Sequence, residues 1–262
     1  MKEFFKIKQK NPASPFWAFA IHKGHELRQK VKDKIKLTEK QRLREEDPFT
    51  DEFANISANR VIVYRSRFEV DLNRKRKRAV YRNPEDAWGL EIWKNKPEKN
   101  IINRALELYD NFYDEICELL EKVHKRHGYS VIYDLHSFNY RRDQYDVNKN
   151  FPDIIVGTGK IDRTRWLPAI KRIIKIMKEF DFPGKELHVV ENSIFPGGNF
   201  PYQIANKFPQ KCCILSLEFK KFFMNEKTGE PFTEHINHIK SLLKATIMPV
   251  QEAVRKIVLN QL

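Results

Sequence analysis

The predicted fold is decided by the stretch Ser130-Val131-Ile132-Tyr133-Asp134-Leu135-His136-Ser137. Its first residues are apolar and β-branched or aromatic, which is typical of a strand buried on both faces. Its polar end offers an imidazole where the strand stops. Ligands of open α/β sheets bind just beyond the carboxyl ends of the strands. The stretch therefore predicts a central strand and one part of a site.

A second stretch has the same form. The apolar run Val61–Val70 leads into Asp71-Leu72-Asn73-Arg74, so this predicted strand ends on an amide and a guanidinium. The guanidinium of arginine matches a carboxylate, and an adjacent amide adds directional hydrogen bonds. Together the two strand ends predict an anion-binding group beside a metal-binding group.

Along the rest of the chain, apolar runs alternate with amphipathic helical patterns, which predicts an α/β sheet covered by helices on both faces. The clearest helix is Ile101–His127, followed by Gly128 as a C-cap. Others are predicted over Arg165–Phe180 and Thr233–Leu262, the latter kinked or divided at Pro249. The predicted strands are Phe16–Ile21, Val61–Leu72, Ser130–Leu135, Asp153–Val156, Leu187–Val190 and Cys212–Phe219.

Composition limits the class of protein. The chain has 262 residues, of which 41% are hydrophobic and 12% aromatic, and it has no repeat or linker, so we predict one folded domain over 1–262. We find neither a membrane-spanning run nor a signal peptide, and therefore expect a cytoplasmic protein with no membrane partner. Cys117, Cys212 and Cys213 lack the CxxC spacing of a zinc finger and are expected to be buried free thiols.

The formal charge of +14 permits two interpretations. Clustered Lys and Arg could neutralise nucleic-acid phosphates. Here the basic residues are spread along most of the chain, and acidic residues are interleaved through the crowded segment 30–44. We favour a solvated basic surface that attracts acidic substrates, and expect no nucleic-acid partner. Neither Gly-x-Gly-x-x-Gly nor the P-loop pattern occurs, which argues against a Rossmann or Walker-type nucleotide site.

Two histidines at predicted strand ends, His22 and His136, are candidate metal ligands. A catalytic zinc site uses three nitrogen or oxygen ligands and keeps one position open for water. The alternative is that each histidine has only structural hydrogen bonds. The segment Arg44–Asp51 could supply a carboxylate ligand, or its acids could stabilise the N-terminus of a helix that begins near Asp51.

Two further groups complete the candidate site. Arg67, Asn73 and Arg74 form the anion-binding group, although Arg74 could instead belong to a solvated basic run over 74–78. Glu218 lies inside an apolar strand, where an unpaired carboxylate is costly, so it is either functional or paired with a neighbouring Lys or Arg. A raised pKa would suit Glu218 as a general base.

In chain order these motifs resemble the N-formylglutamate amidohydrolase family, from about Phe16 to Met224. That family is similar to the aspartoacylases and zinc carboxypeptidases, which implies a zinc exopeptidase or phosphorylase/hydrolase-like fold with a mixed, mostly parallel sheet. The resemblance rests on the strand-end His22, the acidic segment 45–51, Ser66-Arg67-Phe68-Glu69-Val70-Asp71-Leu72-Asn73-Arg74, Asp134-Leu135-His136-Ser137-Phe138, Pro152-Asp153-Ile154-Ile155-Val156-Gly157 and Leu217-Glu218-Phe219.

The resemblance also implies a mechanism. One Zn²⁺ per chain would be held by His22, a carboxylate and His136, with Glu218 as the general base. The substrate carboxylate would be bound by Arg67, Asn73 and Arg74, and Arg67 would also help to stabilise the oxyanion. The implied reaction is hydrolysis of the amide of an N-acylated acidic amino acid, with N-formyl-L-glutamate giving formate and glutamate.

The third ligand is chosen from several carboxylates, because the chain departs from the family near His22. Ile21-His22-Lys23-Gly24 stands where family members usually have Pro-His-Ser-Gly, and His25 stands where the related zinc enzymes place a glutamate. We take Glu46, with Asp51, Asp47 and Glu26 as further candidates and His25 as a possible participant. Two rival functions remain: a zinc carboxypeptidase or N-deacylase acting on a peptide or cell-wall fragment, and a basic nucleic-acid-binding protein without catalysis.

Overall fold

A seven-stranded sheet forms the centre of the computed structural model, which describes residues 3–140 and 151–260. The strand order is β1-β3-β2-β4-β7-β5-β6, defined by the ranges at the end of this paragraph. β1 is antiparallel to β3 and β5 to β7, while the other neighbouring pairs are parallel. The sheet is therefore mixed and mostly parallel, as predicted. The strands are β1 (Phe5–Gln9), β2 (Phe16–Ala20), β3 (Asn59–Val63), β4 (Ser130–Phe138), β5 (Ile154–Gly157), β6 (Val189–Glu191) and β7 (Cys212–Lys220).

Helices cover both faces of the sheet, which confirms the predicted α/β class. Alternate residues of the central strands enter opposite cores, so that Phe19 packs on one face and Ala18 on the other. α4 and α6 cover the first face, and α3, α5 and α7 cover the second. The helices are α1 (Gln29–Lys32), α2 (Glu39–Glu45), α3 (Thr50–Ala54), α4 (Lys99–His127), α5 (Arg163–Glu179), α6 (Asn199–Lys207) and α7 (Thr233–Leu259).

The prediction of one long strand over Val61–Leu72 is wrong for the second half of that range. β3 ends at Val63, and the chain then turns, with the backbone N–H of Glu69 donating to Ser66 at 3.0 Å. Phe68, like its apolar neighbours, is buried in the core without joining the sheet. Apolar periodicity reports burial, and a buried loop can reproduce the pattern of a strand. The motif Asp71–Arg74 therefore lies in a loop.

The helix predictions agree with the structure better than the prediction of this strand does. Gly128 caps α4 with a φ of 79°, as expected. Pro249 lies inside α7 and does not divide it, so of the two predicted effects only a kink stays a prediction. Residues 261 and 262 of the predicted helix lie outside the described part of the chain. The strand β1 was missed, because its alternation with lysines leaves a weak apolar signal at the sheet edge. Within the described residues, no helix combines the length and apolar character needed to cross a membrane.

The positions of β3 and β4 on either side of β2 create a crevice at the carboxyl ends of these strands. β3 pairs on one side of β2 and β4 on the other, while α3 and α4, which precede these strands, cover opposite faces. Such a reversal of strand order opens a space beyond the carboxyl ends of the strands. His22 follows β2 and His136 lies near the end of β4, so this crevice contains both candidate ligands.

Candidate active site

His22, Asp47 and His136 form a buried cluster whose ligand atoms all lie within 4.8 Å of one another. The Asp47 Oδ2 is 3.0 Å from His136 Nδ1 and 3.6 Å from His22 Nδ1. The sheet brings the two histidines together, because Phe19 of β2 is in register with Asp134 of β4. Asp47 is tied to the end of β2 by its backbone N–H, which donates to the carbonyl oxygen of His22 at 2.9 Å.

Carboxylates also approach the outer nitrogens of both histidines. His22 Nε2 is hydrogen-bonded to Asp71 Oδ1 at 2.7 Å, and His136 Nε2 lies 3.0 Å from Asp134 Oδ2. In metal sites, a histidine ligand is usually oriented by such a carboxylate on its second nitrogen. The two Nδ1 atoms are thereby left facing Asp47.

The electrostatics of the cluster favour a cation. Burial alone would raise the pKa of Asp47, but hydrogen bonds from His136 and His22 hold it well below its ordinary range. Burial would likewise lower the pKa of His136, yet the charges of Asp134 and Glu218 raise it well above its ordinary value. Two imidazole nitrogens and one carboxylate oxygen are the ligand types of catalytic zinc. The residues therefore fit a divalent metal ion.

The structure does not bring Glu46, the carboxylate chosen from the sequence as the third ligand, into this cluster. Glu46 is buried and contacts other residues instead. It forms hydrogen bonds with His25 and Ser66 and an ion pair with Arg42 at 3.3 Å. Adjacent residues of an extended segment point in different directions, and here Asp47 is the one that faces the histidines. The remaining candidate ligands lie away from the cluster: Asp51 pairs with Lys23 at 3.1 Å, Glu26 joins a bridge to Arg65, and His25 stays with Glu46.

A buried lysine anchors the segment that presents Asp47. Lys221 Nζ donates to the carbonyl oxygens of Arg44 and Glu46, at 2.5 and 2.8 Å, and to Asn139 Oδ1 at 3.0 Å. Burial lowers the pKa of Lys221. Because an ammonium group has three donors, these bonds use all of them. Lys221 was not singled out from the sequence, where a lysine at a strand end has no distinguishing signal.

Glu218 lies in β7 directly beside His136, its register partner in β4. Burial raises the pKa of Glu218 to about 8, and the charges of Asp47 and Asp134 add to this, against the opposing effect of His136. Among the described residues, no lysine or arginine forms an ion pair with Glu218, so the structure does not support a purely ion-paired role for it. Glu218 lines the same pocket as the cluster.

Arg67 lines the pocket and is fixed by polar contacts. It donates to Tyr81 Oη at 3.1 Å, to the carbonyl oxygen of Glu45 at 3.4 Å and to Asp71 Oδ2 at 2.9 Å. Its guanidinium also lies 5.1 Å from the ring centroid of Trp88. Since a guanidinium carries five N–H donors, two remain available beyond these three bonds. Asp71, which holds both Arg67 and His22, had no role in the sequence-based hypothesis.

Asn73 and Arg74 also line the pocket. Arg74 is 34% exposed and its Nε is 3.7 Å from Asp71 Oδ2, so it is separated from the surface ion pairs of the basic run 74–78. Asn73 Oδ1 accepts a hydrogen bond from the backbone N–H of Phe200 at 2.9 Å and so caps α6. The backbone of Gly198 passes so close that an added Cβ would overlap the Asn73 side chain. A glycine is therefore required there.

The pocket has a volume of about 630 Å³. Its charged part contains the histidine cluster, Glu218 and the two arginines already described. Another part is apolar, and no local pattern in the sequence indicates it, because its residues come from separate turns and strand ends. The apolar and aromatic lining residues include Trp88, Phe138, Tyr140, Phe151, Ile194 and Phe195.

Comparisons with known proteins agree with this architecture. The model of the N-formylglutamate amidohydrolase family matches residues 14–224. An N-formylglutamate amidohydrolase from Ralstonia eutropha JMP134 superimposes with a TM-score of 0.74 at 16% identity, covering 98% of this chain and 99% of that one. A gene product of Agrobacterium tumefaciens gives a TM-score of 0.67 at 16% identity, covering 97% and 96%. No curated protein matches by sequence. Because the family model covers most of the chain, including both strand-end histidines and Glu218, the chain belongs to the N-formylglutamate amidohydrolase family.

Proposed function

We propose that the chain is a zinc-dependent amidohydrolase that cleaves the amide bond of an N-acylated acidic amino acid, with N-formyl-L-glutamate as the leading substrate. The observation that carries the proposal is the meeting of three features in one pocket. These are the cluster His22–Asp47–His136, the adjacent Glu218, and a pair of arginines.

His22, Asp47 and His136 would hold the ion, one per chain, in place of the Glu46 set chosen from the sequence. When bound, Zn²⁺ supplies Lewis acidity, which polarises an amide carbonyl and makes water a stronger nucleophile at neutral pH. Asp71 keeps His22 oriented through the 2.7 Å hydrogen bond to Nε2, and Asp134 lies against His136. These contacts fix the ring positions before a ligand arrives.

Glu218 would move the protons. A base must carry no proton when it accepts one from water, whereas burial raises the pKa of Glu218 to about 8. Positive charge held by the neighbouring cluster would lower that pKa toward the neutral range, which suits general acid–base catalysis. Its Oε atom would take a proton from the attacking water and then deliver one to the departing amine nitrogen.

The arginines would bind and orient the substrate. Arg74 is partly exposed at the pocket and offers its guanidinium fork to a carboxylate. Arg67, held by Asp71 and Tyr81, keeps free donors for the substrate carboxylate or the developing oxyanion. Asn73, fixed by the start of α6, would add an amide donor. This arrangement favours an acidic amino acid as the amine part of the substrate.

The test combines metal analysis with an activity screen. We expect purified protein to contain about one zinc per chain and to release formate from N-formyl-L-glutamate. His136→Ala should lose both the metal and the activity, whereas His127→Ala, a change in a histidine hydrogen-bonded to Pro12 at the chain surface, should lose neither. Full zinc occupancy in His136→Ala would refute the ligand set.

Release of C-terminal residues from peptides without turnover of N-acyl amino acids would favour the carboxypeptidase rival. The cytoplasmic location and the absence of a nucleic-acid partner stay predictions.

A further inference from the structure

Four apolar side chains form a wall on one side of the pocket: Phe138, Phe151, Ile194 and Phe195. We refer to these residues as the apolar wall. Phe138 is its centre, with its ring centroid 6.1 Å from that of Phe151 and 5.3 Å from that of Phe195. Phe138 itself is buried, but Phe151 and Phe195 are partly exposed and Ile194 is 48% exposed. Within residues 3–140 and 151–260, the wall therefore presents partly exposed apolar surface to the pocket.

The strand order separates this wall from the arginines. Arg67, Asn73 and Arg74 follow β3, which lies on one side of β2. Phe138 ends β4, Phe151 precedes β5 and Phe195 follows β6, all on the other side of β2. The histidine cluster, at the ends of β2 and β4, lies between the two groups. A substrate whose carboxylate is bound by the arginines and whose amide lies at the cluster would direct its acyl group toward the wall.

Trp88 does not belong to this wall. Its ring lies 5.1 Å from the guanidinium of Arg67, and it therefore contributes to the arginine side of the pocket. The nearby ammonium group of Lys221 is fully occupied by carbonyl and amide oxygens. Among the described residues, the side of the pocket that would face the acyl group therefore presents aromatic and aliphatic surface. The Lys221 ammonium group has no free donor for a ligand there.

We propose that the apolar wall is an acyl-binding subsite that takes an aromatic acyl group. The proposal rests on the amide hydrolysis proposed above. It keeps the acidic amino acid as the amine part of the substrate and changes the preferred acyl group from formyl to aromatic. A formyl group has a single carbon and cannot cover the wall, whereas covering apolar surface stabilises a complex in proportion to the area removed from water. Aromatic rings also gain from offset or edge-to-face contact with Phe side chains. The pocket volume of 630 Å³ leaves room for such a group.

The experiment compares N-formyl-, N-acetyl- and N-benzoyl-L-glutamate with zinc-loaded protein. We expect kcat/KM for the benzoyl substrate to exceed that for the formyl substrate by about tenfold or more. Phe195→Ala should lower this ratio by about tenfold, and Ile194→Ser, a change at an exposed position that the core does not need, should lower it in the same direction. Met248→Ala, on the exposed face of α7, should leave the ratio unchanged.

The outcomes separate the two proposals. A wild-type preference for the formyl substrate would overturn the subsite while leaving the amidohydrolase function intact. Equal losses on both substrates in Phe195→Ala and Ile194→Ser would also overturn it, since a purely structural role affects both alike. If no N-acylglutamate is hydrolysed by the zinc-loaded protein, the proposed function fails and the subsite fails with it.

Discussion

His136 and Glu218 are register partners on the adjacent parallel strands β4 and β7. Side chains in register on neighbouring strands project to the same face of a sheet. The candidate ligand and the candidate proton acceptor are thus held side by side by two buried strands in the middle of the sheet. Their separation depends on backbone pairing and not on a flexible loop, which is the kind of support that a catalytic site needs.

The first prediction concerns Glu218→Gln. Glutamine cannot accept and return the proton, so turnover should fall by about 10²- to 10⁴-fold while the zinc content stays at the wild-type value. The fold should tolerate the change, because burial already raises the pKa of Glu218 to about 8 and so favours a neutral side chain. Formate release and metal analysis on the same preparation test this. Unchanged turnover would remove Glu218 from the mechanism.

The second prediction compares two adjacent carboxylates. Asp47→Asn should lose most of the bound zinc, because Asp47 Oδ2 lies between the Nδ1 atoms of His22 and His136. Glu46→Gln should keep it, because Glu46 contacts His25, Ser66 and Arg42 instead. Metal analysis after dialysis gives the result, with circular dichroism to establish that both variants are folded. The opposite pattern would restore the sequence-based choice of Glu46.

The third prediction separates two arginines of one basic run. Arg74→Ala should raise KM by about 10- to 100-fold with a smaller effect on kcat, because it removes a charge-assisted contact with the substrate carboxylate. Arg76 is a matched control, since its guanidinium pairs with Asp110 at the surface at 2.6 and 2.7 Å. Arg76→Ala should leave both constants unchanged. Similar effects from the two variants would indicate general attraction by positive charge.

The fourth prediction concerns stability at acidic pH and a histidine remote from the site. Burial lowers the pKa of His124 from 6.5 to about 4, and Lys211 adds to this, while His124 Nε2 hydrogen-bonds Ser130 at 2.8 Å. Between these two pH values the unfolded chain binds the proton and the folded chain does not. The contribution of His124 to the free energy of unfolding is therefore complete above pH 6.5 and is lost as the pH falls toward 4.

The measurement is chemical unfolding of wild type and His124→Gln at several pH values in one metal state. The wild-type free energy of unfolding should fall more steeply from pH 6.5 to 4, by about 3 kcal/mol relative to the variant. His127→Gln serves as the control, because His127 bonds Pro12 in an exposed position. Parallel pH profiles for wild type and His124→Gln would contradict the assignment.

Part of this protein could be predicted from the sequence alone. The alternation of apolar runs and amphipathic helices determined the α/β class, because each buried element needs its own local pattern. His22, His136 and Glu218 could be singled out because polar side chains at the ends or inside of buried strands are costly without a role. The ordered motifs also sufficed to indicate the family.

Other features depended on contacts between residues far apart in the chain. No pattern in the sequence shows which of Glu46 and Asp47 faces the two histidines, because this depends on the direction in which each side chain leaves the same short segment. The segment that ends in the loop Asp71–Arg74 has the apolar pattern of a strand, because its apolar side chains are buried in the core. Asp71 and Lys221 gained roles through partners 49 and 175 residues away. Local periodicity and the placement of polar residues in buried strands are enough to predict the fold class and most of the candidate groups. Two features depend on the tertiary structure: which carboxylate faces the two histidines, and where the apolar wall lies. The first is set by the direction in which a side chain leaves its segment, and the second by the strand ends that meet in the pocket.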